Sequence, residues 1–378
     1  MNPTSLYIHI PWCIRKCPYC DFNSHKSPEQ LPEMAYIDAL LADFDQDLTR
    51  HHAKKLHSIF IGGGTPSLLS ADAYERLMTG LQQRIAFEDQ IEITLEANPG
   101  TLEHGRFSDY RALGINRLSL GIQSFNPHHL KTLGRIHDDK QAHHAIEEAQ
   151  RAGFTNLNLD LMHGLPGQTV AEALDDLEQA LHYHPKHLSW YQLTIEPNTI
   201  FHKTQPKLPH EEISAELEEA GMALLAAHQF QRYEISAFCQ ENHMAQHNMN
   251  YWLFGDYYGI GAGAHGKLSL QIPDNIYRTQ KYRQPKDYLD PQKPFLAQQH
   301  TTLSPETLIF EFMLNTTRLE QAIEHQLFTQ RTGLNIEWLL PQLQQAEALG
   351  LLICYPSQWQ ITPLGRRFTN DLQALFLT

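Results

Sequence analysis

The 378-residue sequence contains no uninterrupted apolar run approaching the roughly 20 residues that a helix needs to cross a bilayer. Its N-terminus lacks the basic segment followed by an apolar segment that marks a secretory signal peptide. Cationic residues are few, because 29 Lys and Arg face 43 Asp and Glu and give a net charge of −14. We therefore expect a cytoplasmic protein that neither spans a membrane nor binds nucleic acid through a basic face.

Cysteine is also scarce, and its distribution is uneven. Three of the five cysteines, Cys13, Cys17 and Cys20, fall within eight residues, whereas Cys239 and Cys354 stand alone. An odd number so placed does not indicate a disulfide framework. In a reducing compartment, clustered cysteines more often bind metal or take part in redox chemistry. We interpret the two isolated cysteines as buried, unreactive residues.

Short apolar runs alternate with longer amphipathic segments over about the first 230 residues. The runs predict strands and the segments predict helices: strands at 6–10, 58–61, 91–95, 117–120, 156–161 and 187–193, and helices near 31–50, 70–86, 101–113, 138–152, 169–183 and 211–228. Their spacing is typical of repeated βαβ units. Because a complete eight-unit barrel takes about 250 residues, the pattern predicts an α/β fold with an incomplete (β/α)6 TIM-like barrel. A doubly wound open sheet is the alternative, since periodicity does not separate the two.

We divide the chain into three predicted regions: the partial barrel at 1–230, a barrel extension and connection at 231–300, and a C-terminal domain at 301–378. Within the second region, residues 278–296 are rich in Pro, Lys, Arg and Tyr and predict a surface connection. The third region predicts helices at 305–314, 319–328 and 335–348, two short strands near 351–361 and a last helix. This order indicates a mainly helical, winged-helix-like domain. Four Arg, no Lys and seven acidic residues favour a lid or packing element over a DNA-binding domain.

The strongest chemical signal is the spacing Cys-x₃-Cys-x₂-Cys directly after the first predicted strand. Three thiolates on one short loop would hold three irons of a 4Fe–4S cluster and leave the fourth iron open to a small molecule. Two alternatives stay open at this point. A zinc site would need a fourth ligand, for which His9 or His25 is available, and the clustering would otherwise be coincidental.

Glycines follow the second predicted strand, in the segment Gly62-Gly-Gly-Thr-Pro-Ser67. Glycine lets the backbone approach a ligand closely, although a tight turn alone would also require it. The other predicted strands end in polar side chains, among them Glu96, Gln123, Asp160 and Thr194. Since parallel α/β sheets build their sites at the carboxyl ends of strands, these residues are expected to meet the cysteines at one opening. Capping or turn formation is the alternative role for each of them.

Taken together, these segments resemble the oxygen-independent coproporphyrinogen III oxidase family of radical S-adenosylmethionine (SAM) proteins. The resemblance lies in 6–13 with its cysteine spacing, in 62–67, and in 96–100 (Glu-Ala-Asn-Pro-Gly), 121–124 (Gly-Ile-Gln-Ser), 133–137 (Leu-Gly-Arg-Ile-His) and 160–166 (Asp-Leu-Met-His-Gly-Leu-Pro). It covers residues 5 to about 270 well and the C-terminal part more loosely. It implies a radical SAM barrel.

Within this family, the chain is similar to the haem-chaperone (HemW-like) branch. The oxidases carry a further cysteine two positions after the third cluster cysteine, where this chain has Phe22. The oxidases also have a longer segment before the cluster strand. His247, Asn248, Tyr251 and Trp252 match the His-Asn-x-x-Tyr-Trp motif of the branch.

The resemblance implies roles by position. Cys13, Cys17 and Cys20 would ligate the 4Fe–4S cluster. Ten residues would contact SAM: Tyr7, Tyr19, Gly63, Gly64, Thr65, Glu96, Gln123, Arg135, Asp160 and Thr194. Tyr19, and more loosely Thr194, match positions that touch a second SAM in the oxidases. No residue is assigned a catalytic role.

The implied function is that of a haem chaperone, with haem as cargo and an acceptor such as a membrane-associated respiratory haem protein. An electron donor is the other implied partner. The residues alone leave His247 open between a haem ligand, beside Tyr251 and Trp252, and an ordinary buried histidine. The alternative function is a coproporphyrinogen III dehydrogenase, in which a carbon radical would abstract hydrogen from a propionate chain with loss of carbon dioxide. A zinc-stabilised binding module is the third hypothesis, so enzymatic activity stays undecided.

Overall fold

The computed structural model describes residues 3–51, 53–101, 107–271, 275–297 and 301–377. The strands in these ranges are β1 (Thr4–Ile10), β2 (Trp12–Cys13), β3 (His25–Lys26), β4 (Lys55–Gly63), β5 (Ala86–Ala97), β6 (Arg117–Gln123), β7 (Asn156–His163), β8 (His187–Gln192), β9 (Gln231–Glu234), β10 (Ala237–Cys239), β11 (Asp256–Ile260), β12 (His265–Gln271), β13 (Asn275–Gln280), β14 (Thr301–Thr302), β15 (Ile323–Glu324), β16 (Leu352–Cys354) and β17 (Gln358–Ile361).

The helices are α1 (Glu33–Arg50), α2 (Ala71–Arg84), α3 (Phe107–Ala112), α4 (Pro127–Thr132), α5 (Asp139–Arg151), α6 (Val170–His182), α7 (Ile200–Thr204), α8 (Glu211–Ala227), α9 (Gln246–Trp252), α10 (Pro285–Tyr288), α11 (Pro305–Thr316), α12 (His325–Thr332), α13 (Leu340–Ala348), α14 (Pro363–Arg367) and α15 (Thr369–Ala374). None of these helices is long and apolar enough to cross a membrane. The predicted helix at 101–113 lies partly outside the described residues.

One large sheet organises the described part of the chain, in the order β14-β13-β12-β11-β1-β4-β5-β6-β7-β8-β10-β9. The strands from β11 to β8 are parallel, and antiparallel strands extend both ends. All six predicted strands are present. The seventh parallel strand, β11, lies beyond residue 230, where the alternation of strands and helices in the sequence has already faded. The sheet stays open, because β14 and β9 lie at opposite ends.

The central strands form because their side chains are buried on both faces of the sheet. Every residue of β6 is buried, and the helices that follow the strands cover one face. Local signals fix the helix starts: the Ser70 hydroxyl accepts a hydrogen bond from the Ala73 N–H, and Asp138 and Thr169 each form a capping box. The core therefore holds the carboxyl ends of the strands in fixed positions.

The C-terminal region packs around an apolar cluster that also includes Phe254 and Ile276 of the preceding region, and it contains a small sheet in the order β15-β17-β16. Its helices and hairpin follow the predicted winged-helix-like order. The predicted helix at 319–328 was misplaced, because Ile323 and Glu324 pair with β17 and the helix begins at His325. The boundaries of the three predicted regions stay predictions.

A buried ion cluster fastens the segment after β13 to α1. Lys281 Nζ donates to the Asp43 carboxylate and, at 2.9 Å, to Asp47 Oδ2, while the Tyr288 hydroxyl donates to Asp43 Oδ2 at 2.7 Å. Lys281 is 0% exposed and Tyr288 is 2% exposed. The predicted surface connection at 278–296 is thus anchored in the core at Lys281 and Tyr288, while residues 283–284, 286 and 291–294 are exposed. Its polar composition does not indicate that two of its side chains pair with carboxylates of α1.

Replacing Lys281 with methionine is expected to lower the free energy of unfolding by about 3–5 kcal/mol, because two buried carboxylates lose their cation. Urea unfolding followed by circular dichroism measures the change. Lys293→Met is the matched control, since the Lys293–Asp287 pair is more exposed, at 40% and 28%. We expect little change in the free energy of unfolding for the control, because water screens an exposed ion pair. If Lys281→Met and Lys293→Met lost equal free energy of unfolding, the stabilising role of the buried ion cluster would be contradicted.

Candidate functional site

A cavity of about 500 Å³ opens at the carboxyl ends of the parallel strands. Its wall is built by the residues that follow β1, β4, β5, β6, β7 and β8, and is completed by residues of β9, β10 and α9 and by Arg318. This is the edge at which parallel α/β folds assemble their sites. The polar strand ends and the cysteine loop thus face one shared space.

The cysteine loop runs from β2 to β3, and a short parallel ladder between these strands closes it. The Cys20 N–H donates to the Cys17 carbonyl at 3.2 Å, and the Ser27 N–H donates to the Cys13 carbonyl at 2.8 Å. All three thiols are free and line one end of the cavity. Burial raises the pKa of the Cys13 and Cys20 thiols. The loop therefore presents three sulfur donors to the same end of the cavity.

Glycines at the end of β4 allow the backbone there to approach the cysteine loop. The Gly64 and Thr65 N–H groups donate to the Ile10 and Trp12 carbonyls, each at 2.7 Å. A Cβ atom on Gly64 would lie 2.5 Å from the Trp12 carbonyl oxygen, so a larger residue would push the strands apart. The glycine segment thus has a packing role at Gly64 in addition to its place on the cavity wall.

Two half-buried carboxyl groups, those of Glu96 and Asp160, face the cavity. Glu96 Oε2 accepts from the Gly63 N–H at 3.1 Å, and Asp160 accepts from the Ser119 hydroxyl at 2.9 Å and from Asn158 Nδ2 at 2.7 Å. Burial, followed by the charge of the nearby Asp160 carboxyl, raises the pKa of Glu96 to about 8. Burial also raises the pKa of Asp160. A cationic or hydroxyl-bearing ligand would satisfy these oxygens.

Arg135 joins the cysteine loop to the ends of β5 and β6. Its Nη2 donates to the Gly121 carbonyl at 2.8 Å and to Asn98 Oδ1, while Nη1 lies 3.7 Å from Cys17 Sγ and 3.4 Å from the Tyr19 hydroxyl. One guanidinium thus makes contacts on three segments. It fixes the side of the cavity next to the thiols.

Gln123 occupies an unusual backbone conformation at the end of β6, with φ of +70°. Its Oε1 accepts from the Tyr191 hydroxyl at 2.6 Å. Residues other than glycine adopt this region rarely, and such outliers concentrate at functional sites. Gln123 therefore belongs among the candidate binding residues on structural as well as sequence grounds.

The structure brings most of the sequence-predicted residues to the cavity wall: Cys13, Cys17, Cys20, Tyr19, Gly63, Gly64, Thr65, Glu96, Gln123, Arg135, Asp160, Thr194, Asn248 and Trp252. Tyr7, His247 and Tyr251 are not on that wall. The Tyr7 hydroxyl is hydrogen-bonded to His9 Nδ1 at 2.8 Å. The role of each residue stays a prediction.

His247 lies inside the protein, 1% exposed. Its Nδ1 is 3.0 Å from the Ser58 hydroxyl and its Nε2 is 2.8 Å from the Tyr251 hydroxyl. Burial lowers the pKa of His247 to about 3, with the charge of Arg117 adding to the effect. Haem ligation by His247 stays a prediction, and it would require one of these hydrogen bonds to break.

Sequence reasoning missed several polar residues on the cavity wall. Ser119 of β6 pairs in register with Glu96 of β5, and Ser189 of β8 pairs with Asp160 of β7. Each carboxyl-bearing residue thus lies beside a serine on the neighbouring strand. Polar residues at alternate positions in otherwise apolar strands were the available signal. Arg318 carried no such signal, because it reaches the cavity from the C-terminal region.

The side chains around the three thiols distinguish the zinc alternative from the 4Fe–4S cluster. The zinc alternative needs a fourth ligand, but His9 Nε2 lies 2.8 Å from the Asn23 carbonyl and His25 Nε2 lies 3.1 Å from the Arg283 carbonyl. Among the described residues, no three His, Cys, Asp or Glu side chains are arranged to hold a single metal ion. Three free thiols beside a polar cavity fit a 4Fe–4S cluster with one iron left for a small ligand.

Comparison with known proteins agrees with this geometry. Residues 7–180 match the family model of the Radical SAM superfamily, and residues 303–368 match that of the HemN C-terminal domain. A protein of Escherichia coli named "Heme chaperone HemW" is 48% identical over 378 residues, covering 100% of this chain and 99% of that protein. The chain belongs to the HemW family of radical SAM proteins. The resemblance predicted from the sequence motifs is therefore confirmed.

Other members of the HemW family match over the same length. The Haemophilus influenzae protein of the same name is 48% identical, covering 100% of this chain and 99% of that protein, and the Bacillus subtilis protein is 34% identical, covering 99% of each. The solved structure of coproporphyrinogen III oxidase (HemN) from Escherichia coli has a TM-score of 0.83 at 24% identity, covering 100% of this chain and 90% of that one. This match confirms the predicted fold, an incomplete radical SAM barrel with a helical C-terminal region.

Proposed function

We propose that this HemW-family chain is a cytoplasmic haem chaperone, which binds haem beside a SAM-ligated 4Fe–4S cluster and passes the haem to an acceptor protein. A respiratory haem protein at a membrane is the proposed acceptor. The observation that carries the proposal is the 48% identity, over the complete chain, to proteins named haem chaperones. A similarity of this extent includes the cavity wall and the C-terminal region that borders it.

Cys13, Cys17 and Cys20 would hold the cluster where they line the cavity. When bound, the cluster and SAM would supply one-electron cleavage of a sulfonium carbon–sulfur bond. The chain's own groups would orient the SAM: Glu96 and Asp160 offer carboxyl oxygens, and Gly63 and Gly64 contribute to the cavity wall. Burial strengthens these polar contacts by excluding water.

The electron donor would approach over the cysteine loop. Ile14, Arg15 and Lys16 are exposed there and border the cavity. Two adjacent cations stand out in a chain whose net charge is −14. An acidic donor would therefore be attracted to this part of the surface.

The haem would bind against the part of the cavity wall that Asn248 and Trp252 form. Trp252 offers an apolar indole of the kind that packs on flat porphyrin rings. Phe22, 60% exposed and on the same wall, stands where the related oxidases carry a further cysteine. These features favour binding of a porphyrin over its oxidation.

Anaerobic titration of the cluster-loaded chain with haem tests the proposal. We expect a saturable change in the haem absorbance band, followed by transfer when the apo form of a membrane-bound respiratory cytochrome b is added. Incubation with coproporphyrinogen III, SAM and a reductant is expected to yield no protoporphyrinogen. Turnover of coproporphyrinogen would replace the chaperone with the dehydrogenase, and failure to bind haem would also overturn the proposal.

A further inference from the structure

Arg318 carries a charged group from the C-terminal region onto the cavity wall. It lies just after α11, and its Nη2 and Nε donate to Glu234 Oε2 at 2.8 and 3.2 Å. Its guanidinium carbon is 4.3 Å from the ring centroid of Trp252. The side chain is 29% exposed, whereas that of Glu234 is 4% exposed. The guanidinium is therefore the accessible member of a fixed pair.

Neighbouring groups hold Arg318 in this position. Glu234 Oε1 accepts from the Ser236 N–H at 3.0 Å and from the Ser236 hydroxyl at 3.2 Å, which orients the carboxylate. Arg366 donates to the carbonyls of Thr317, Arg318 and Leu319 at 2.7–3.2 Å, which fixes the backbone. A side chain anchored at both ends is preorganised and loses little conformational freedom on contacting a ligand.

Two hydrogen-bond donors on this part of the cavity wall have no protein acceptor. Among the described residues, Nη1 of Arg318 makes no hydrogen bond, and the buried indole Nε1 of Trp252 has no partner. The unpaired indole N–H is costly because it is buried, whereas Nη1 is accessible, and a guanidinium is well suited to bind a carboxylate. The wall thus offers donors beside an apolar ring, which suits a flat apolar ligand that carries a carboxylate.

We propose that Arg318 binds a propionate carboxylate of the haem, while Trp252 packs beside the porphyrin. The inference rests on the proposed function, in which haem is the cargo, and it names the carboxylate-bearing edge of the porphyrin as the part that the chain recognises. Glu234 is a positioning residue, because it engages Nε and Nη2 and leaves Nη1 for the ligand. The C-terminal region thereby contributes a residue to the binding site.

Comparing haem with haem dimethyl ester, in which both propionates are esterified, tests this contact directly. We expect the chain to bind haem at least about tenfold more tightly than the diester, as loss of one charge-assisted hydrogen bond implies. Arg318→Gln is expected to weaken haem binding by a similar factor while leaving diester binding unchanged. The preference for haem should then disappear.

Arg232→Gln is the matched control. Arg232 lies in β9 and pairs with Glu218 and with Glu320 of the C-terminal region, but it does not line the cavity. We expect the control to keep the preference for haem. An equal loss of haem affinity in Arg318→Gln and Arg232→Gln would overturn the inference and leave the proposed function standing. Equal affinity of the unmodified chain for haem and the diester would do the same. If the unmodified chain binds neither ligand, the proposed function itself fails.

Discussion

Replacing Cys17 with alanine is expected to reduce the iron content of the anaerobically reconstituted chain from about four atoms per molecule to nearly none. Cys17 lies on the cavity wall, with its sulfur 3.7 Å from Arg135 Nη1. Two remaining thiols would leave two irons of the cluster without a protein ligand. Iron and acid-labile sulfide analysis, together with the visible absorbance spectrum, measures the loss.

Cys354→Ala is the control for thiol removal. Cys354 lies in β16 of the C-terminal region, and its Sγ donates to the Leu343 carbonyl at 3.7 Å. We expect its replacement to leave the iron content unchanged. Full iron retention by Cys17→Ala would show that the assigned cysteine set is wrong. One zinc per unmodified chain, with no iron or sulfide, would favour the zinc-stabilised module instead.

The parallel strands could be predicted from the sequence because short segments rich in apolar residues recur between longer amphipathic ones. The segment 156–161, Asn-Leu-Asn-Leu-Asp-Leu, alternates polar and apolar residues and became β7, which spans Asn156–His163. The site residues at the strand ends followed from the same reasoning, since the ends of parallel strands meet at one edge. Short-range pattern and the geometry of the fold thus agree over the first half of the chain.

Long-range pairing accounts for what could not be predicted. Arg318 and Glu234 are 84 positions apart, and Lys281 and Asp43 are 238 positions apart, so no local pattern indicates either contact. Lys281 looked like a surface residue because charged side chains are almost never fully buried unless they are paired. The burial of His247 could not be predicted for the same reason. Its hydrogen bonds to Ser58 and Tyr251 depend on how α9 packs against β4.

Replacing Glu96 with glutamine is expected to raise the free energy of unfolding of the SAM-free, cluster-loaded chain by up to about 4 kcal/mol above pH 8, and to change it little at pH 5. Burial, followed by the Asp160 carboxyl, raises the pKa of Glu96 from 4.5 to about 8. The folded state therefore binds this proton more tightly than the unfolded state does. As the pH rises from 4.5 to 8, the carboxyl group increasingly destabilises the fold, and glutamine removes that cost. Urea unfolding across the pH range measures the difference.

The same substitution is expected to weaken SAM binding at least about tenfold, because an amide cannot provide the charge that a cationic ligand requires. Asp176→Asn is the control, since Asp176 is a buried carboxylate that accepts from Ser124 and Phe125 away from the cavity wall. We expect its SAM affinity to stay unchanged in calorimetric titration. Unchanged SAM affinity in Glu96→Gln, or a loss of its stability at high pH, would contradict the assignment. A higher free energy of unfolding together with a weaker SAM affinity in Glu96→Gln would mark Glu96 as a residue retained to bind its ligand. A carboxylate retained for packing would instead stabilise the ligand-free chain.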